Sequence, residues 1–372
     1  MRDDIIGFER RPDVFIENMI ALEKITPKMM LEYFTKRIIG QDKELRLIVY
    51  MFYNYLISVF NKKEYSPPRW ILTAPSGCGK TEVFRTLRDF CKDNGIRVPV
   101  VQIDLSQYTE TGFSGKNSDE IMITLHRADP FFDGIGFCFL DEADKTFVPS
   151  HNSDGEDCNA AAQSNLLMLI EGKSESLQVS RTQTVTMDSG KTMFILMGAF
   201  QEIRNQKQTK LKKAERIIGF NCIESPGDHK EIFYEDITLS DMIEFGMLEE
   251  LAGRLQLVIN LHKLSREDMI KVIISKISDL EYDLKMSVVF DDSVTESLLN
   301  ISYSNLGVRK VINCLKELAY RAVSDEFYDK KINNNCCLVI DSADKAHLEF
   351  EGSSIHISPK NQNQYEKEAK KQ

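Results

Sequence analysis

The feature that most constrains this chain is the glycine-rich run Ala74-Pro75-Ser76-Gly77-Cys78-Gly79-Lys80-Thr81. A short apolar stretch, Trp70–Thr73, precedes it, and Thr81–Asn94 follows with helical periodicity up to Gly95. A loop between a strand and a helix in this pattern cradles phosphates. Its glycines let backbone N–H groups approach the oxygens, and the helix N-terminus adds positive potential. Lys80 is then placed to reach the terminal phosphates and Thr81 to ligate Mg²⁺. Pro75, Ser76, Gly77, Cys78, Gly79, Lys80, Thr81 and the neighbouring Glu82 form the candidate nucleotide-binding set. The first position, usually glycine, is Ala74 here. Alanine is the smallest residue with a Cβ, so only a mild distortion is expected, with its effect on turnover.

A second acidic signal completes the chemistry. Phe137–Glu142 (FCFLDE) is an apolar run that ends in adjacent carboxylates. Asp141 at the strand end can hold the metal shell, and Glu142 can orient and deprotonate an attacking water. Two arginines, Arg254 in LAGRL and Arg309 in GVR, are candidates for stabilising charge in the transition state.

Around these motifs the pattern alternates. Apolar runs at Val98–Asp104, Ile135–Leu140 and Thr192–Met197 predict strands, and Ser118–Ala128 and Ala160–Glu171 predict helices. Strands alternating with helices imply an α/β fold with a mostly parallel sheet. Thr26–Phe60 reads as helical with a turn at Ile39-Gly40-Gln41-Asp42. Gln201–Glu231 reads as a long polar loop, followed by a helix at Ser240–Leu251 and a strand at Leu257–Leu261. From Ser265 the pattern is mainly helical, with a terminal strand at Cys337–Asp341. The expected division is a short leader at 1–24, a large α/β domain at 25–261, a small mainly helical domain at 262–350 and a disordered tail at 351–372.

Composition narrows the function classes. A net charge of -10 argues against nucleic acid as the main partner, since phosphate backbones call for clustered positive charge. The basic run Lys207–Arg216 reads as a solvated segment. The 8 cysteines show no C-x-x-C spacing, which fits a reducing cytoplasm and no structural metal. No apolar run reaches the roughly 18 residues of a membrane span.

Taken in order, these motifs resemble the AAA+ ATPases of the Clp group, nearest to ClpX with HslU next. The likeness runs from about Ile25 to Asp341. It includes Ile38-Ile39-Gly40-Gln41 on the adenine side, the phosphate loop, Leu140–Lys145 (LDEADK), Leu166–Gly172, Gly198-Ala199-Phe200, Phe245–Arg254 and Gly307–Arg309. By position the resemblance makes Ile39 an adenine contact, Arg254 an arginine finger toward a neighbouring subunit and Arg309 the sensor-2 arginine. It implies ATP and Mg²⁺ as cofactors and a homo-hexameric ring. Gly112-Phe113-Ser114-Gly115 matches the pore loop that grips polypeptide substrates, and Ile218-Gly219-Phe220 matches the tripeptide that docks on a ClpP-like peptidase. The implied function is ATP-driven unfolding and translocation of proteins through a central pore into a ClpP-like peptidase. The alternatives are a stand-alone remodeller without a peptidase and a nucleotide-switched scaffold ring with weak turnover. The resemblance does not extend to the cysteine-rich zinc domain of ClpX, nor to a polar sensor-1 side chain where Thr192–Met197 ends.

Overall fold

The computed structural model describes residues 12–61, 65–109, 116–130, 132, 134–151, 155, 157–172, 174–179, 184–217, 236–302, 308–327 and 336–350. The chain divides into two compact units, 1–265 and 266–372.

The first unit begins with three helices, α1 (Pro12–Glu23), α2 (Pro27–Arg37) and α3 (Asp42–Phe60). Strand β1 (Trp70–Thr73) leads into α4 (Lys80–Asp93), and β2 (Val100–Asp104) leads into the short α5 (Ser106–Thr109) and α6 (Lys116–Ala128). Next come β3 (Phe137–Asp141), α7 (Cys158–Glu171), β4 (Ser174–Gln178), β5 (Thr184–Asp188), β6 (Met193–Gly198) and α8 (Gln201–Ile217). The unit closes with α9 (Leu239–Phe245), α10 (Glu249–Ala252) and β7 (Leu257–Asn260). Five strands form one sheet in the order β2-β3-β6-β1-β7, every neighbouring pair parallel.

The strand sequences explain why both faces of this sheet are covered. Side chains alternate across a strand, and here both sets are apolar. Trp70, Leu72, Phe137, Phe139, Met193, Ile195 and Met197 join one core, with residues of α2, α3 and α4. Ile71, Cys138, Leu140, Phe194 and Leu196 join the other, with residues of α6, α7, α9 and α10. Buried Phe52 of α3 packs edge-on against Phe137 at 5.4 Å between ring centroids. The Tyr55 hydroxyl donates to Lys191 O at 2.7 Å and accepts from Gly136 N at 2.9 Å, so this buried polar tip is satisfied.

Three expectations are corrected in this unit. The leader at 1–24 contains α1, whose Val14 and Leu22 are buried and whose Asn18 donates to Arg97 O at 3.0 Å. It is packed against the α/β body rather than set apart from it. The polar loop expected at 201–231 is helical as far as Ile217. Its lysines, glutamines and glutamate are good helix formers, and few apolar residues are there to reveal a face. Ile203 and Arg204 are buried, and Lys207 binds Asp241 at 2.7 Å and Asp236 O at 2.8 Å. The helix expected at Ser240–Leu251 is broken at Gly246 into α9 and α10, and Thr238 with Asp241 forms a capping box at its start. The antiparallel pair β4–β5 was not anticipated.

The second unit contains α11 (Arg266–Leu284), β8 (Ser287–Val289), α12 (Asp292–Ser302), α13 (Val308–Phe327), β9 (Cys336–Ser342) and β10 (Lys345–Phe350). Ile273, Ile277, Val294, Leu298, Val311 and Leu315 are buried from its helices, with Leu338 and Ile340 from β9. The single terminal strand expected here is the centre of a three-stranded sheet, β10-β9-β8. Among the described residues no helix is long and apolar enough to cross a membrane.

Candidate nucleotide site

The phosphate loop joins the C-terminal end of β1 to the N-terminus of α4. In open parallel sheets ligands bind beyond the strand ends, where the order of strands reverses. β1 lies between β6 and β7, while β2 and β3 lie beyond β6, so the loop emerges at such a point. Gly77 and Gly79 have φ of 79° and 103°, which an L side chain rarely adopts. A Cβ on Gly79 would also lie 3.5 Å from Ile38 Cγ2 and 3.9 Å from Leu261 Cδ1. The segment Ile38–Gln41 therefore rests beside the loop. Its Gln41 is buried, donates to His262 O at 2.7 Å and accepts from His262 N at 3.1 Å. Ile39 is half-buried in the same turn, as are Thr81 and Glu82 at the start of α4.

Ala74 does not strain the loop. Its φ is not positive, its methyl is fully buried in the core, and its N–H donates to Gly198 O at 3.3 Å.

Lys80 folds back to donate to Ala74 O at 2.7 Å. Burial pushes its ammonium below the usual lysine range, while Asp141, Cys78 and Asp144 oppose that shift and Arg204 adds to it. Burial likewise pushes the Cys78 thiol up.

β3 delivers the acidic pair. Asp141 Oδ2 accepts from Gln102 Nε2 at 2.6 Å, and Oδ1 accepts from Glu142 N at 2.9 Å. These bonds fix the carboxylate and leave each oxygen a lone pair for a further partner. Glu142 itself has φ 57° and ψ 28°, a left-handed conformation uncommon for a residue with a Cβ. Such backbone conformations cost on the order of 1–3 kcal/mol and cluster at functional sites. Partial burial raises the Glu142 pKa, and Asp144, Asp141 and Asp104 raise it further against Lys145. That direction suits a proton acceptor near neutral pH.

Residues outside the sequence-derived set crowd the same strand ends. Asp144 is buried, accepts from Phe200 N at 3.1 Å with one oxygen, and has no hydrogen-bond partner among the described residues on the other. That other oxygen lies 2.7 Å from where a Cβ on Gly198 would stand, and the Phe200 ring lies 2.6 Å from it. A polar side chain at the end of β6 is thus sterically excluded. Arg204 is buried nearby and donates to Thr73 Oγ1 at 2.7 Å and to Ala199 O at 3.1 Å. Thr73 in turn donates to Asn260 Oδ1 at 2.8 Å. Asp144 lies inside the LDEADK run and Phe200 inside Gly198-Ala199-Phe200, but their roles, and those of Arg204 and Asn260, were not legible because the contacts join residues far apart in the chain.

The remaining candidates are more dispersed. Arg254 is exposed, and its Nε lies 2.5 Å from Glu171 Oε1. Burial first, then the neighbouring Arg254, lowers the pKa of Arg69, and Glu171 opposes this. Arg309 is exposed in the first turn of α13. Gly112, Phe113, Ser114 and Gly115 lie outside the described residues, as do Ile218, Gly219 and Phe220.

As a chemical set, Thr81 and Asp141 offer a hydroxyl and a carboxylate, the oxygen donors that a hard cation beside phosphates requires. Glu142 stands one residue further on as the candidate base.

Residues 70–221 match the family described as "ATPase family associated with various cellular activities (AAA)". The chain is 26% identical over 329 residues to the "ATP-dependent Clp protease ATP-binding subunit ClpX" of Treponema denticola, covering 80% of this chain and 76% of that one. It is 26% identical over 321 residues to the ClpX subunits of Borrelia duttonii and Borrelia recurrentis, covering 79% of this chain and 72% of each. Phosphate loop, acidic strand end, parallel strand order and both comparisons agree: the chain holds an AAA-type ATPase domain and is similar to ClpX subunits.

Proposed function

We propose that the chain is an ATP-dependent protein unfoldase that works as a homo-hexameric ring and passes polypeptides through a central pore to a ClpP-like peptidase. The observation that carries this reading is the extent of the likeness to ClpX subunits. It covers 329 residues, well beyond the AAA match at 70–221.

The proposed chemistry uses residues of this chain in separate roles. The loop amides and Lys80 bind the β- and γ-phosphates, Ile39 flanks the adenine, and Thr81 and Asp141 hold Mg²⁺. The ion, when bound, neutralises charge developing on the phosphates. Glu142 orients the attacking water and takes its proton. Arg254 acts on the nucleotide of a neighbouring subunit, and Arg309 serves as the sensor-2 arginine. Phe113 grips substrate, since an aromatic side chain can hold polypeptide without reading its sequence. Ile218-Gly219-Phe220 supplies an apolar tip for the peptidase.

Ala74 is the feature that favours the alternative of a scaffold ring with weak turnover; that its φ is not positive and its methyl is buried in the core supports an undistorted loop instead. The test uses the full chain with a folded reporter substrate whose signal is lost on unfolding. Phe113→Ala should stop ATP-dependent unfolding while hydrolysis continues; unchanged unfolding would reject the pore reading. Deleting 218–220 should end degradation with the peptidase and spare ATPase activity. Degradation that continues would favour a stand-alone remodeller.

A further inference from the structure

The last residue of β1, Thr73, immediately precedes the phosphate loop. Its hydroxyl is the middle of a buried chain of hydrogen bonds. It donates to Asn260 Oδ1 at 2.8 Å, and so it accepts from Arg204 Nη2 at 2.7 Å. A hydroxyl has one proton to give, so these directions are fixed. Asn260 is satisfied in turn by Ile237, whose N–H donates to Oδ1 at 2.9 Å and whose carbonyl accepts from Nδ2 at 3.0 Å. Arg204 also donates through Nε to Ala199 O at 3.1 Å, just past the end of β6. One guanidinium therefore spans the ends of two adjacent parallel strands. Thr73 is in register with Gly198 across that pair.

The position of Arg204 is unusual for a charge. It is 3% exposed, and lysine or arginine is almost never fully buried unless it is partnered. It is close enough to Lys80 and to Cys78 of the loop to depress the proton affinity of each. Two cations kept near one another in a poorly hydrated place suit a site built to receive an anion. The end of β6 has no room for a polar side chain of its own, because Asp144 and Phe200 fill the space over Gly198.

We propose that Arg204 is a positioning residue for ATP hydrolysis: by holding Thr73 and Ala199 together it fixes the phosphate loop against the end of β6. The planar guanidinium makes both contacts at once in a set geometry. A lysine ammonium keeps the charge and loses the fork. The Thr73 hydroxyl is the acceptor on which this hold depends.

The test compares Thr73→Val, Thr73→Ser, Arg204→Lys and Arg204→Gln in the full, assembled chain, using steady-state ATPase kinetics and thermal melting. Thr73→Val keeps the shape and removes the acceptor. Its kcat should fall about tenfold with KM for ATP changed less than about threefold, the mark of an interaction made in the transition state. Thr73→Ser keeps the hydroxyl and should restore kcat to within about threefold of the wild type. Arg204→Lys should resemble Thr73→Val, and adding Thr73→Val to Arg204→Gln should cost nothing more, since both remove one shared interaction. Should Arg204→Gln fail to fold, the two Thr73 variants and Arg204→Lys decide the matter. The proposal is overturned if Thr73→Val and Arg204→Lys both keep kcat within about twofold of wild type, or if Thr73→Ser is as impaired as Thr73→Val.

Discussion

Replacing Ala74 with glycine, the usual residue at that position of a phosphate loop, should weaken the fold and leave the chemistry alone. The reasoning starts from the methyl group, which is fully buried among the residues that cover β1. Removing one buried carbon of this size forfeits about 0.8 kcal/mol of transfer free energy. The backbone at residue 74 is not in a left-handed conformation, so glycine gains nothing there in the folded state. In the unfolded chain it adds freedom, which costs about 0.4–1 kcal/mol. The sum is about 1–2 kcal/mol, and for a domain of this size that lowers Tm by roughly 3–6 °C. Scanning fluorimetry without nucleotide measures the shift, and ATP turnover at saturating substrate measures the chemistry. Both kcat and KM should stay within about twofold, because the loop's left-handed turns are already supplied by Gly77 and Gly79. A rise in kcat of about fivefold or more with an unchanged Tm would refute the argument. It would mean that the Ala74 methyl crowds the phosphates rather than filling the core.

Glu142→Gln should lower kcat by about 100-fold or more while ATP still binds, since the general base is lost and the loop is untouched; single-turnover hydrolysis and nucleotide-binding fluorescence check this. The acid limb of kcat should lie above the usual carboxylate range, because Glu142 must be deprotonated and its pKa is raised by burial and by Asp144, Asp141 and Asp104. Lys145→Gln removes the cation that opposes this, so the limb should move to still higher pH in low salt; a move to lower pH would contradict the sign. Glu171→Gln should leave the melting temperature nearly unchanged, the pair with Arg254 being well exposed, and lower ATP turnover several-fold if Arg254 must be aimed. Lys207→Met breaks its bonds to Asp241 and Asp236 O, and should speed amide hydrogen exchange in the first turns of α8.

What could be read from the sequence follows the range of the forces involved. Gly77, Gly79, Lys80 and Thr81 announce themselves because a phosphate cradle is made from consecutive backbone groups. Asp141 and Glu142 do so because an apolar strand ends abruptly in charge. The five-stranded sheet was legible for the same reason, its strands being apolar on both faces. α8 was not. Its helical state depends on Ile203 and Arg204 being buried and on Lys207 finding Asp241, a partner that follows only after the whole 218–235 stretch. β8 and β10 were missed because they are short or polar and acquire their identity only by pairing with β9.

The gap in the sequence reading of the site has the same origin and a sharper consequence. Met197-Gly198 looked like a strand end that lacks a polar side chain. The structure shows that the place is occupied from elsewhere: Asp144 arrives from the turn after β3, and Arg204 from the first turn of α8. Glycine at 198 is then a requirement of these neighbours rather than a loss, since any Cβ would meet the Asp144 carboxylate and the Phe200 ring. The polar groups at the end of the sheet are supplied by residues outside the strand that carries Gly198, and a motif search confined to that strand finds only their absence. Gly198→Ser alone should overpack the site at a cost of about 1–3 kcal/mol, whereas pairing it with Asp144→Ala removes the carboxylate contact and leaves the one with the Phe200 ring, so the pair should recover only part of the loss and the two substitutions should be non-additive in both melting temperature and turnover.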